Sequence, residues 1–260
     1  MDKAGLDQGA FRTASELRIQ LAQMTAASQL MERCVGDEKS RKYLEIMNQS
    51  ICRMLRIVGR LELAGRLGGE RTPELELKYV DLALLARELG ARMGRLLAYA
   101  GVELAVTAPE FLIAQADEAL VRQMVMELVS NAAKAGNHVK LSLARHGERA
   151  VFTVEDNGPG IPSERVEYLF CGAEEAVPDW RRGGVGVAIA RRAATLHSGT
   201  VVADCKPGKG LRVAASIPLG TAESIDLKDP GLEWDRGGFA EELVAFSDLL
   251  PAKAFEMKGG

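Results

Sequence analysis

Apolar positions early in the chain recur at alternating spacings of three and four. Leu17, Leu21, Met24 and Met31, with Ser28 in step among them, make one such series. Leu44, Met47, Ile51, Met54, Val58 and Leu61 make a second. This period keeps one narrow apolar seam on each of two helices. Val35-Gly36-Asp37 separates the series with turn-forming residues, and no proline falls within residues 6–67. The pattern predicts a two-helix hairpin over residues 6–67. Such a hairpin has apolar surface to spare. Pairing of two copies into a four-helix bundle would bury it, as would packing of the hairpin on the rest of its own chain.

Gly65, Gly68, Gly69 and Pro73 then mark a linker, placed at residues 68–78. From residue 79 to 220 the pattern is mixed. Val80 to Ala100 reads as an amphipathic helix, and Val102–Thr107 and Phe111–Ala114 as short strands. A helix is predicted from Asp117, its N-cap, to Ala135. Val139–Ala144 with Ala150–Val154, and Thr200–Asp204 with Leu211–Ile217, alternate like hairpin partners, and Val185–His197 reads as helix between them. Helices segregated against a mostly antiparallel sheet give an α+β fold. Residues 221–260 hold nine carboxylates against four basic groups and form an acidic tail. Phe239, Leu243, Phe246 and Leu250 would share a helical face there, so both a docking helix and a free tail stay open.

Composition narrows the function classes. Of 260 residues, 47% are hydrophobic and 27% charged, as in ordinary folded proteins. A net charge of -3 and only 5% aromatic residues argue against a nucleic-acid partner. No apolar run is long enough to span a bilayer, and the polar start lacks a signal-peptide core, which predicts a cytoplasmic protein without membrane insertion. Four cysteines and three histidines are scattered without metal-ligand spacing.

Four short strings carry candidate chemistry. Glu127, Asn131 and Lys134 are spaced four and three apart on one helix and share a face. A carboxylate, an amide and an ammonium so arranged suit a magnesium-bound polyphosphate, although a solvated stripe has the same spacing. Asp156-Asn157-Gly158-Pro159-Gly160 follows an apolar strand. Its carboxylate can accept from an exocyclic amine and its glycines admit close backbone approach, although a plain Asn-Gly turn reads the same way. Gly183-Gly184-Val185-Gly186 runs into a helix and offers backbone N–H groups to phosphate. Gly208-Lys209-Gly210 reads as a tight hairpin turn.

In order and spacing these strings, over Asp117 to Pro218, resemble the ATP-binding fold shared by sensor histidine kinases, type II topoisomerases, heat-shock ATPase chaperones and mismatch-repair ATPases. The histidine kinases fit best. Asp117 to Lys134 resembles their asparagine box, and Ala188 to Gly199 the helix after their second glycine box. The resemblance implies an α/β sandwich that binds ATP and Mg²⁺. Asn131 would hold the metal, Asp156 the adenine amino group, Gly158 and Gly160 the nucleotide, and Gly184, Gly186 and Lys134 the phosphates. Phe170 to Arg182 would be a lid carrying Arg181 and Arg182. Glu127 stands where the hydrolytic members carry a general base.

The hairpin resembles the dimerisation and phosphoacceptor domain of these kinases. Ser15-Glu16-Leu17-Arg18 matches the acceptor string, except that Ser15 replaces the histidine. No histidine lies anywhere in residues 6–67, which implies loss of self-phosphorylation at the usual place. The resemblance thus implies a degenerate, homodimeric, nucleotide-gated scaffold of two-component signalling. Its input would come from a partner protein or from nucleotide itself, and a response regulator or other signalling protein would be a candidate partner. An active phosphotransferase or ATPase using Glu127 as base, with Ser15 or another protein as acceptor, and an anti-sigma-type binding module are the rival readings.

Overall fold

The computed structural model describes residues 3–68, 74–161, 185–205, 208, 210–220 and 239–256. The chain divides into two units, Met1–Arg71 with Glu233–Gly260, and Thr72–Leu232.

In the first unit, helices α1 (Lys3–Glu32) and α2 (Glu38–Gly68) form a hairpin. Asp37, before α2, accepts from the Ser40 N–H at 2.8 Å. The buried seam is rotated from the predicted one. On α1 it runs through Ala14, Leu21, Thr25 and Ser28, and on α2 through Leu44, Asn48, Ile51, Leu55 and Val58. Three of these are polar, and each has a partner, which removes most of the cost of burying it. Thr25 Oγ1 donates to Leu21 O at 2.9 Å, and Ser28 bonds Asn48 across the hairpin. Arg18 and Glu62 form a two-pronged ion pair farther along. The predicted seam residues Leu17, Met24, Met31, Met54 and Leu61 are instead between 36% and 51% exposed.

The acidic C-terminal segment is docked against α2 within this unit. It carries a short helix α6 (Glu241–Ala245) and a 3-10 turn at Ala252–Phe255. Phe246 and Phe255 are fully buried and Leu250 nearly so. Polar side chains of α2 hold its backbone. Asn48 Nδ2 donates to Phe255 O at 3.2 Å, Gln49 Nε2 to Leu250 O at 2.6 Å, and Arg53 Nε to Ser247 O at 3.1 Å. Arg56 pairs with Asp248.

The second unit is a helix layer on a five-stranded sheet. Its elements are β1 (Lys78–Asp81), α3 (Leu82–Ala98), β2 (Glu103–Thr107), β3 (Ile113–Ala116), α4 (Glu118–Ala135), β4 (His138–His146), β5 (Arg149–Asp156), α5 (Val185–Leu196), β6 (Thr200–Cys205) and β7 (Leu211–Pro218). The sheet order is β2-β4-β5-β7-β6, with β2 and β4 parallel and the other pairs antiparallel. Alternation selects the buried face: Val139, Leu141 and Leu143 on β4, Ala150, Phe152 and Val154 on β5, Val213, Ala215 and Ile217 on β7. Opposite these lie buried Leu85, Leu89, Met93 and Leu97 of α3, Met124 and Leu128 of α4, and Ile189 and Ala193 of α5.

Asp81, read at the sequence level as helix, instead ends β1 and caps α3. Its Oδ1 accepts from Ala83 and Leu84 N–H and from Leu112 N–H at 3.1 Å. β1 pairs with β3 in a separate two-stranded ladder. As predicted, Asp117 caps α4, accepting from Leu120 N–H at 3.1 Å.

Candidate functional site

Helix α4 carries the first group of candidate residues through the helix layer toward its C-terminal end. Burial falls along the face they share. Glu127 is 3% exposed, Asn131 half-buried and Lys134 exposed. Glu127 Oε1 accepts from Gln123 Nε2 at 3.0 Å, so the carboxylate is held from the preceding turn. Asn131 differs: its amide nitrogen is buried and has no hydrogen-bond partner among the described residues. A buried N–H donor without an acceptor is a costly feature, which an acceptor oxygen of a ligand would relieve and a cation would not.

The Asp156 loop meets the end of this helix. The C-cap Gly136 packs so tightly that a Cβ there would stand 2.3 Å from Asn157 Oδ1 and 2.9 Å from Gly158 N. Asn157 staples the junction: its Oδ1 accepts from His138 N–H at 3.0 Å and its Nδ2 donates to Asn137 Oδ1 at 2.9 Å. Asp156 Oδ1 accepts from Gly158 N–H at 2.8 Å and Leu211 N–H at 3.4 Å. Burial pushes its carboxyl above the usual range, and those two hydrogen bonds pull partly the other way. Gly160 has φ +70°, a conformation that suits glycine.

The turn between β6 and β7 closes the other side of the loop. Gly208 N–H donates to Pro159 O at 2.9 Å. Gly210, at φ +79°, lies so close that a Cβ would come within 1.8 Å of Asp156 O. The turn read from sequence as a bare hairpin is therefore a wall of the Asp156 loop. Nothing in Gly-Lys-Gly alone signals that, because the contact joins residues over fifty positions apart. Asn157 and Gly136 were likewise invisible as a pair.

The structure thus joins the C-terminal end of α4, the helix that carries Asn131, to the loop of Asp156 and Gly158. Gly186 is buried in the first turn of α5, which packs against α4. Gly184 and the predicted lid, with Phe170, Arg181 and Arg182, lie outside the described residues. Ser15 belongs to the first unit, where it is half-buried on α1. Among the described residues, no cluster of histidine, cysteine, aspartate and glutamate could hold a metal ion, and no helix is long and apolar enough to cross a membrane.

Residues 116–221 match the family described as histidine kinase-, DNA gyrase B-, and HSP90-like ATPase. The match brackets α4, the Asp156 loop, α5 and the β6–β7 turn. The chain carries a domain of this family and is similar to sensor histidine kinases. It is 27% identical over 211 residues to the sensor protein kinase PmrB of Pseudomonas aeruginosa, covering 79% of this chain and 44% of that one. It is 26% identical over 227 residues to the adaptive-response sensory kinase SasA of Crocosphaera subtropica, covering 82% and 59%. The structure of full-length ShkA in complex with AMPPNP aligns with a TM-score of 0.67 and 25% identity, covering 84% of this chain and 47% of ShkA. The chain thus spans about half the length of these relatives, and its second unit carries the ATPase domain of two-component sensor kinases.

Proposed function

We propose that the second unit binds Mg·ATP and that the protein works as a dimeric, nucleotide-gated scaffold of two-component signalling, degenerate for histidine autophosphorylation. The observation that carries the nucleotide reading is the Asp156 loop. A desolvated carboxylate is held by the Gly158 and Leu211 N–H groups against the Gly210 backbone, in a loop whose Gly158 touches the C-terminal end of α4, the helix that carries the unsatisfied Asn131 amide nitrogen. Asp156 would accept from the adenine amino group. Gly158, Gly160 and Gly186, with Gly184, would leave room for the backbone to approach the nucleotide. Asn131 would hold Mg²⁺, and Lys134 would lie near the phosphates. The metal, when bound, offsets phosphate charge. That ShkA, similar over 84% of this chain, was solved in complex with AMPPNP supports nucleotide binding by this unit.

The scaffold part rests on Ser15, since the hairpin holds no imidazole to accept a phosphoryl group. The dimer part rests on an exposed stripe. The Arg18–Glu62 and Ser28–Asn48 contacts set the register of the hairpin. That register puts Leu17 level with Leu61, Met24 with Met54, and Met31 with Met47. These residues recur every seven positions on both helices, as in a coiled-coil seam. Helical periodicity places the α2 half of the stripe opposite Gln49, Arg53 and Arg56, which hold the C-terminal segment. The stripe is therefore clear of the C-terminal segment, which supports its pairing with a second copy, and response regulators or other signalling proteins are candidate partners.

Burial of Glu127 one turn before Asn131 favours a second reading, in which that carboxylate acts as base toward water or a hydroxyl. Two experiments test these readings. Melting with Mg·ATP at 100 times Kd should stabilise the second unit by about 2.7 kcal/mol. An absent shift at millimolar nucleotide removes the ATP reading. Incubation with γ-labelled ATP should leave the protein unlabelled and release no phosphate. Acid-stable label lost in Ser15→Ala, or phosphate release lost in Glu127→Gln, would replace the scaffold with an active enzyme.

A further inference from the structure

The thiol of Cys205, at the end of β6, brackets the backbone of Ile161, the residue after Gly160. Ile161 N–H donates to Cys205 Sγ at 3.0 Å, and Sγ in turn lies 3.1 Å from Ile161 O and 3.4 Å from Gly210 O. The single thiol proton can serve either carbonyl, while the sulfur lone pair accepts from the amide. One side chain therefore substitutes for strand pairing at a point where Ile161 pairs with no strand among the described residues. Together with the Gly208 N–H to Pro159 O bond, it docks Pro159 to Ile161 along the β6–β7 turn. That same turn supplies the Leu211 N–H bonded to Asp156 and the Gly210 backbone packed on Asp156 O.

We propose that Cys205 is a positioning residue for the nucleotide loop: its thiol fixes the stretch after Gly160 against the turn that also holds Asp156. The proposal rests on the nucleotide reading of this loop for its functional consequence, and on the Ile161 contacts alone for its structural one. Hydrogen-bonding capacity, rather than bulk, is what the site requires. Valine fills the place of the sulfur with a methyl, at the cost of a second methyl on Cβ, but can neither accept from the amide nor donate to a carbonyl. Serine keeps both capacities on a shorter arm.

The test pairs amide exchange with nucleotide titration on the full chain. In nucleotide-free protein, Cys205→Val should speed exchange of the Ile161 amide by about tenfold, roughly one net hydrogen bond. Cys205→Ser should stay close to wild type. Mg·ATP affinity should fall by a similar factor in Cys205→Val and recover in Cys205→Ser, with the melting temperature of the nucleotide-free second unit little changed. Cys205→Ala, which frees volume rather than filling it, carries the same expectation should the valine variant fold poorly. Wild-type protection of Ile161 in both the valine and alanine variants would overturn the proposal and leave the thiol as packing. So would Ile161 loosened with nucleotide affinity unchanged. Wild-type protein that shows no affinity for Mg·ATP would sink the nucleotide reading instead, while the exchange rates still decide the latch.

Discussion

The carbonyl oxygen of Ala135 lies 2.6 Å from the point a Cβ on Gly158 would occupy. The last residue of α4 and the first glycine of the Asp156 loop are thus in backbone contact. This contact couples the helix bearing Asn131 to the strand end bearing Asp156. A methyl group at Gly158 cannot be absorbed by a rotamer change, because its obstacle is main chain. Gly158→Ala should push the loop off the helix, costing about 1–3 kcal/mol as overpacking does. Nucleotide affinity should fall more than the loss of stability alone would explain. Melting and titration of the same variant check both.

Asp156 offers a pH test with a definite sign. Its carboxyl is raised in the folded state, chiefly by burial. The folded chain therefore binds this proton more tightly than the unfolded chain. The ionised group opposes folding above its folded pKa, and that cost fades as pH falls through it. Adenine recognition runs the other way, since only the carboxylate accepts from an amine. Mg·ATP affinity should weaken as pH drops through the raised value. Asp156→Asn should remove that pH dependence along with most of the affinity, and leave the apo melting temperature equal or higher. Titrations at stepped pH, run on both proteins, measure this. A variant that still binds with wild-type affinity would remove the adenine assignment.

His197 shows a different coupling. Its Nε2 accepts from Asp117 N–H at 2.9 Å, and its Nδ1 lies 2.7 Å from Ala193 O, to which it donates. The buried ring thereby ties the end of α5 to the capping residue of α4. His197→Phe keeps the bulk and orphans the Asp117 amide. A loss of about 1–3 kcal/mol is expected, the usual cost of an unsatisfied buried group. Urea melts of wild type and variant give the difference.

Much of this was legible in the sequence where the signal was local. The α1–α2 break, the Asp117 cap and the alternation in β4, β5 and β7 follow from nearest neighbours and were read correctly. The hairpin seam was read only in part: Leu21, Ser28, Leu44, Ile51 and Val58 are buried as expected, but Thr25 and Asn48 were passed over as polar, and only their bonds to Leu21 O and to Ser28 make them core residues. β1 escaped because its partner β3 lies some thirty residues away and Asp81 looks like any surface carboxylate. The candidate residues on α4 and in the Asp156 loop stood out by type and spacing. The supporting roles of Gly136, Asn157, Gly210 and Cys205 did not, because each acts through a contact between residues distant in sequence.

The C-terminal segment was undecided between tail and docked element for the same reason. Its apolar residues are few, and what holds it is the row Asn48, Gln49, Arg53 and Arg56 on a distant helix. Phe255 is fully buried there. Phe255→Ala should cost the helical unit about 3–5 kcal/mol, the usual range for such truncation. Far-UV circular dichroism should show the helical transition moving to lower temperature, and nucleotide-induced stabilisation of the second unit should persist.

The exposed stripe makes the last prediction. Met24 and Met54 are level with one another and 44% and 39% exposed. Neither belongs to the buried seam or to the row that holds the C-terminal segment, so a change at either spares the hairpin's own core. In a dimer each would move from water into an apolar interface, and a charge placed there would have to be desolvated without a partner. Met24→Glu and Met54→Glu should therefore convert a dimer into monomers at micromolar concentration, with helix content retained. Double substitution of the pair, which puts four carboxylates around one layer, should do so more completely. Light scattering coupled to size exclusion reads the mass directly. A wild-type chain that is monomeric at every concentration would refute the bundle, and dimers unaffected by both substitutions would move the interface elsewhere.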